Sequence, residues 1–240
     1  MVVLATAPEK WGKILSSRVY PEFFQFSPES RVLNIGCGKA PQAVVYKGAY
    51  GEMVGVDINK ERIEESYKLL QERNIQNYSA ICANVEKIPL EDNSFDHALA
   101  VDIIEHVQNP DRVCREAHRL LKENGRLLIS FPTLHDKYVD FISGLARFIF
   151  RKKKKIKGKE WNPDEHCQEY SAKDWIKLIE GCGFKLEKSR ATTLFPPLHY
   201  YGIPRFWFSN NFIHRIDSSF CKLPRIKNYG QALLCLFIKK

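Results

Sequence analysis

A chain of 240 residues with 44% hydrophobic and 27% charged side chains suits one α/β domain with elaborations and is too apolar to remain disordered. Its longest apolar stretches, Phe141 to Phe150 and Leu233 to Ile238, are too short to cross a bilayer. The formal net charge of +9 is uneven: residues 147–159 carry eight Lys/Arg and no acid, residues 185–240 carry ten basic and two acidic residues, and the remainder is acidic.

Met1 to Ala7 is apolar but short, lacks a basic start and runs into Pro8-Glu9-Lys10, so a secretion signal is not expected. Residues 9–26, with Trp11, Ile14, Leu15, Val19, Tyr20, Phe23 and Phe24, predict an N-terminal helix closing over a bound ligand, and ordinary packing of these residues against the sheet is equally compatible. Arg31 to Ile35 reads as a short buried strand followed by a glycine-containing turn, and Met53 to Asp57 as the second strand. Asn59 then caps a helix carrying Ile63, Tyr67 and Leu70 on one face. Tyr78 to Cys82 and Phe95 to Val101 are the third and fourth strands.

Asn109, Pro110 and Asp111 start the best-signalled helix, whose apolar face is Val113, Ala117, Leu120 and Leu121 and whose expected terminator is Gly125. Arg126 to Phe131 makes a fifth strand, ended by Pro132. From 134 to 165 the pattern gives way to an aromatic and basic insertion. Ser171-x-x-Asp174 opens another helix with Trp175, Leu178 and Ile179 inward, and Phe184 to Ser189 follows as a strand. A second irregular stretch, 192–228, precedes Gln231 to Ile238, an apolar run of strand length. The chain contains no internal repeat. Strands alternating with helices predict a parallel sheet covered on both faces.

Gly36-x-Gly38 directly follows the first strand, where a ligand's close approach leaves no room for a Cβ. Asp57 ends the next strand about twenty residues on, the usual spacing for a carboxylate that accepts two ribose hydroxyls. Together they predict an adenine-nucleoside pocket at the carboxyl edge of the sheet. A dinucleotide is disfavoured because Pro41 stands where the pyrophosphate fingerprint wants its third glycine, and proline has no N–H to give a phosphate. That argues against a nicotinamide oxidoreductase.

Val32-Leu33-Asn34-Ile35-Gly36-Cys37-Gly38 resembles the first motif of the class I S-adenosylmethionine (SAM)-dependent methyltransferases, and Gly55-Val56-Asp57-Ile58 the second. Ala83 to Asp96 resembles the segment flanking adenine. Ile104-Glu105-His106-Val107 with Asn109-Pro110, then Arg119-Leu120-Leu121-Lys122, resembles the pattern after strand four. All match the type 11-like branch that methylates quinones, lipids, sugars and other small molecules.

The resemblance covers roughly residues 28–133, the expected SAM-binding core of a single domain over 1–240. It implies a Rossmann-like, seven-stranded, mostly parallel sheet with helices on both faces and an antiparallel last strand. It also implies SAM as cofactor and S-adenosylhomocysteine as product. The cofactor residues it implies are Asn34, Gly36, Cys37, Gly38, Asp57, Ile58, Asn84, Val85 and Asp102. Asn34 and Asn84 depart from the acids usual at their positions, though an amide can still accept and donate.

A sulfonium methyl is already electrophilic, so the protein chiefly aligns donor and acceptor, and a base is needed only for some acceptors. His106, His135 and His166 are the candidate bases, each with a merely structural alternative. Cys37 reads as a small side chain, not a nucleophile. Glu105 is weighed as a cofactor-side or structural residue. No metal is implied: the seven cysteines form no Cys-x-x-Cys pair and His166-Cys167 stands alone. Reduced thiols in a cytoplasmic protein are expected.

The segments 134–165 and 192–228 are read as cap insertions over the carboxyl edge. Phe141, Ile142, Leu145, Phe148, Ile149 and Phe150 beside the basic run 147–159 suit an anionic membrane surface, and the cap suits a small-molecule or lipid-linked acceptor. RNA is the alternative acceptor, because aromatics interleaved with bases also bind single strands. Against it, Asp102-Ile103-Ile104 replaces the Asp/Asn-Pro-Pro-aromatic motif of base-methylating relatives. A non-catalytic SAM-binding or membrane-associated protein is the other alternative, suggested by Asn34 and Asn84.

Overall fold

A computed structural model describes residues 19–132, 167–168, 170–192, 219–221, 223 and 232–240. Its strands form where apolar runs are short and β-branched, and its helices where apolar residues recur on one side. In chain order these are β1 (Arg31–Ile35), α1 (Pro41–Val45), β2 (Glu52–Asp57), α2 (Lys60–Glu72), β3 (Tyr78–Cys82) and β4 (Phe95–Val101). A 3-10 turn (Ile104–His106) leads to α3 (Pro110–Leu120), β5 (Leu121–Pro132), α4 (Ala172–Gly181), β6 (Phe184–Ala191) and β7 (Ala232–Lys239).

The sheet has seven strands in the order β3-β2-β1-β4-β5-β7-β6. All pairs are parallel except β7, which runs antiparallel to both β5 and β6. From β1 the chain winds outward through β2 and β3, then restarts on the other side of β1 at β4. The crevice at the carboxyl ends of β1 and β4 is therefore the topological switch point, where open α/β sheets bind ligands.

Strand alternation sorts the core into two layers. Leu33, Ile35, Val54, Ala98 and Ile129 pack with Val113, Ala117 and Leu120 of α3 and Trp175 and Ile179 of α4. Val32, Met53, Leu99, Leu128 and Leu234 face the other way, onto Ala43 of α1, Leu70 of α2 and the N-terminal residues Val19, Tyr20 and Phe26.

Helix starts follow their local chemistry. Asn59 accepts a hydrogen bond from the Arg62 N–H at 3.0 Å, and Ser171 accepts one from the Asp174 N–H at 3.3 Å. Asn109 holds the N-cap position of α3 but turns its amide to the Glu86 carboxylate, 2.9 Å away.

Two expectations are corrected. The fifth strand starts at Leu121, not after Gly125, and α3 ends at Leu120. Leu121 is extended (φ −73°, ψ 140°) and pairs with Phe95, so an apolar residue that fits the helix stripe contributes more as the first rung of β5. Residues 19–26 form a turn flanked by chain without regular structure, not the end of a helix. Pro21 disfavours helix at Tyr20, and the aromatic side chains pack on the sheet instead: Phe26 lies 4.5 Å from the Tyr46 ring. The rest of that predicted helix lies outside the described residues, as does the expected turn at 227–229.

His97 of β4 shows what this packing costs in acid. Its ring stacks on Phe26 at 5.4 Å and meets Phe24 edge-on at 5.2 Å. Burial pulls its pKa from 6.5 down to about 4. The unfolded chain protonates at the higher pH, so the neutral imidazole's contribution is whole above pH 6.5 and is lost as pH falls toward 4. Denaturant unfolding across that window should lose about 2 kcal/mol to this residue. His97→Leu should flatten the slope, and an unaltered slope would contradict the assignment.

Candidate cofactor and acceptor site

At the end of β1 the chain turns through Gly36 (φ +66°), and the N–H groups of Gly36 and Cys37 donate to the Val56 carbonyl at 2.8 and 3.0 Å. A Cβ on Gly36 would stand 2.6 Å from the Ile103 side chain, so glycine here lets the turn close against the segment leaving β4. Gly38 (φ +50°) is different: a Cβ there would enter open space, so the outer side of the turn is clear. Ala40 is also left-handed (φ +55°) and Pro41 begins α1, only five residues long.

Asp57 joins this turn to the end of β2. One carboxylate oxygen accepts from the Gly38 N–H at 2.8 Å and the other from the Asn59 N–H at 2.9 Å, and the residue is 7% exposed. Each oxygen keeps further acceptor capacity toward the crevice. Asn34, fully buried on β1, donates its amide to Gln42 Oε1 at 3.3 Å. Its Oδ1 is buried without a hydrogen-bond partner.

Beneath the turn, Cys37 packs against the Tyr78 hydroxyl and Gly55. A Cβ on Gly55 would lie 2.8 Å from Cys37 Sγ and clash with the Tyr78 hydroxyl. Burial pushes the Cys37 thiol up to about 12 and the Tyr78 phenol higher still, so neither ionises near neutrality. Cys37 is a packing residue.

Beyond Asp57, Ile58 is 72% exposed and offers an apolar surface after β2. Asn84 is exposed and its Oδ1 accepts from the Glu86 N–H at 2.9 Å, while the Val85 side chain belongs to the core. Any ligand contact of Val85 is therefore through its backbone.

On the other side of the crevice Asp102 is left-handed (φ +51°). Its N–H donates to Ser130 Oγ at 3.0 Å, and that hydroxyl donates back to Asp102 Oδ1 at 2.8 Å, tying the ends of β4 and β5. Next come Ile103 against Gly36, then Glu105 and His106. Glu105 is 3% exposed, its Oε1 3.9 Å from Nε2 of the partly exposed His106. The Cys167 N–H donates to the Glu105 carbonyl at 2.8 Å, which brings the chain back to this edge after the first insertion.

The structure thus sets Asn34, Gly36, Cys37, Gly38 and Asp57 at the ends of β1 and β2, with Asp102 and His106 on the segment that leaves β4 past Gly36. Ile58, Asn84 and Val85 follow β2 and β3 along the same edge. His135, His166, all of 134–165 and most of 192–228 lie outside the described residues. Sequence reasoning assigns no site role to Gly55, Tyr78, Ile103 or Ser130, although Gly55 stands in the second motif and Ile103 follows the fourth strand. Only Gly55 had a local signal, a glycine within a strand. Among the described residues, no three His, Cys, Asp or Glu side chains are placed to hold a metal ion. Two hollows elsewhere, about 830 Å³ beside Arg31 and Arg119 and about 320 Å³ beside His97, touch none of these crevice residues. The larger is walled by Arg119, whose guanidinium is spent on Glu116, Asp92 and two backbone carbonyls.

Comparison with known proteins agrees with this geometry. Residues 33–129 match the model of a methyltransferase domain family. The uncharacterized methyltransferase YcgJ of Bacillus subtilis is 29% identical over 153 residues, 63% of this chain and 55% of that protein. The chain therefore spans about half of YcgJ's length. MJ1123 of Methanocaldococcus jannaschii is 30% identical over 165 residues, 69% of each chain. A demethylmenaquinone methyltransferase of Geobacillus is 28% identical over 134 residues, 51% of this chain and 57% of the enzyme. The crystal structure of YcgJ superposes with a TM-score of 0.61 at 20% identity, covering 96% of this chain and 99% of that one, and so shares the fold.

Residues 33–129 carry a methyltransferase domain of the class I, SAM-dependent kind. A domain of this family takes SAM as its methyl donor. The residues present fit that group: a turn with a clear outer side at Gly38, a carboxylate fixed at the rim, and a buried acceptor, Asn34 Oδ1, beside the turn.

The two glycines of the turn should respond differently to alanine. Gly36→Ala should cost about 2–4 kcal/mol of stability, from the Ile103 clash and a left-handed Cβ. Gly38→Ala should cost only about 1 kcal/mol but weaken SAM binding, because its Cβ fills the open side. Thermal unfolding and titration calorimetry on both variants measure this difference, and equal destabilisation would contradict it.

Proposed function

We propose that the protein transfers the methyl group of SAM to a small apolar or lipid-linked acceptor lying at the carboxyl ends of β4 and β5. The observation that carries this reading is the Asp57 carboxylate, held between two backbone N–H groups beside a turn clear on its outer side. Asp57 accepts the ribose hydroxyls, the Gly36–Gly38 turn carries the amino-acid part, and Asn34 Oδ1 accepts from its ammonium. Ile58, Asn84 and the Val85 backbone flank the adenine, and Asp102 closes the far side. Bound SAM supplies an electrophilic methyl group on its sulfonium, leaving S-adenosylhomocysteine.

The chain's own task is alignment, desolvation and, for a hydroxyl acceptor, removal of a proton. His106, on the turn that leaves β4, is the candidate for the last step, with His135 and His166 as further candidates on the insertions. An apolar acceptor is supported by the small-molecule relatives, among them an enzyme named for demethylmenaquinone. The Asp102-Ile103-Ile104 sequence after β4 also lacks the paired prolines that would clasp a nucleobase amine. The basic segment 147–159 would hold the protein at an anionic membrane surface of a cytoplasmic compartment, where such an acceptor resides.

Asp57→Asn should weaken SAM binding at least tenfold in calorimetry, since a charged acceptor for two hydroxyls is lost, and unchanged affinity would remove Asp57 from the site. Flotation with vesicles should show binding that requires anionic lipid and that fails when Lys152 to Lys155 are neutralised. Equal binding to neutral vesicles would refute the electrostatic contact.

A further inference from the structure

We propose that Cys114 and Cys182 form a redox-active thiol pair that hydrogen peroxide converts to a disulfide clamping α3 to the corner between α4 and β6.

Cys114 lies on the inner face of α3, one turn after Asp111. Cys182 is the C-cap of α4, with Gly181 before it and Gly183 (φ +96°) after it, so the corner has little side-chain bulk to resist adjustment. Its Sγ–H reaches back across the first turn of α3 to the Asp111 carbonyl at 3.6 Å, which sets it beside Cys114, one turn further along and in the same core cluster. Two thiols 68 positions apart in sequence are thus brought to one corner of the fold.

Their environments divide the roles. Cys182 is held below the ordinary thiol range by the hydrogen bond from Cys114 and by Arg115 nearby. Cys114 is pushed up by the same hydrogen bond and by burial. Cys182 is 8% exposed and Cys114 1%, so a reagent the size of water reaches the pair more readily than a bulky one. The thiolate is the attacking species, which makes Cys182 the first to react and Cys114 the resolving thiol.

In the first step Cys182 Sγ bonds to one peroxide oxygen as the O–O bond breaks. The departing hydroxide leaves as water with the proton Cys182 has given up. In the second, Cys114 Sγ displaces the sulfenic hydroxyl, forming S–S, and the Cys114 proton leaves with the second water. Two thiols are oxidised by two electrons and one peroxide is reduced to two waters.

The test uses the full chain, exposed to hydrogen peroxide and digested with trypsin without reduction. The expected product is the Val113–Arg115 peptide joined to Leu178–Lys185 with loss of two hydrogen atoms, reversed by dithiothreitol. Closing so long a loop should raise the melting temperature by several degrees. In Cys114→Ser the cross-link should vanish and Cys182 should halt as a sulfenic acid that dimedone traps. The pairing is overturned if Cys114 and Cys182 stay reduced while the exposed Cys82 and Cys167 oxidise, or if Cys182 is recovered linked to another cysteine. The readout on the unsubstituted chain does not depend on whether the variant folds.

Discussion

One carboxylate organises the site. Asp57 bonds the Gly38 N–H with one oxygen and the Asn59 N–H with the other, so the glycine turn after β1 and the start of α2 after β2 are fixed relative to each other through a single side chain. Both donors would otherwise be unsatisfied backbone groups at a sheet edge. Because they come from the loops and not from a ligand, the rim of the crevice is set before the cofactor arrives, which is the economical arrangement for a site that must hold a donor in line.

The remainder of the crevice depends on close approach across strands. Ile103 fills the space a Cβ at Gly36 would take, and Cys37 with the Tyr78 hydroxyl fills the space beside Gly55. The Ser130 hydroxyl clasps Asp102 and so fixes the residue from which the 3-10 turn departs. Each contact joins the end of one strand to the next, and together they hold the positive-φ residues Gly36, Gly38 and Asp102 in place. Asn34 is fully buried and uncharged, so the end of β1 adds no second buried carboxylate to the site.

Most of this architecture was legible in the sequence because its signals are local. Strands β3 and β4 fall at their expected bounds, and Asn59 and Ser171 cap the helices they were expected to cap. What escaped is non-local. Leu121 satisfies both a helix stripe and a strand, and only its pairing with Phe95 decides between them. Gly55 is required by Tyr78 of the neighbouring strand, and the Glu105 carbonyl is engaged by Cys167, sixty-two positions on. The aromatics of the N-terminal segment read as a helical stripe but serve the sheet, with Tyr20 under the Arg190 guanidinium 3.9 Å away. Contacts between residues far apart in sequence leave no periodicity to find.

The most direct test of the account is thermal unfolding of the unsubstituted chain with SAM, S-adenosylhomocysteine and the nicotinamide dinucleotides in parallel. At a hundredfold excess over the dissociation constant a ligand adds roughly 2.7 kcal/mol, a shift of about 5–10 °C for a domain of this size. The account predicts that shift with SAM and S-adenosylhomocysteine and none with the dinucleotides. A shift with the dinucleotides alone, or none with SAM at millimolar concentration, would contradict it.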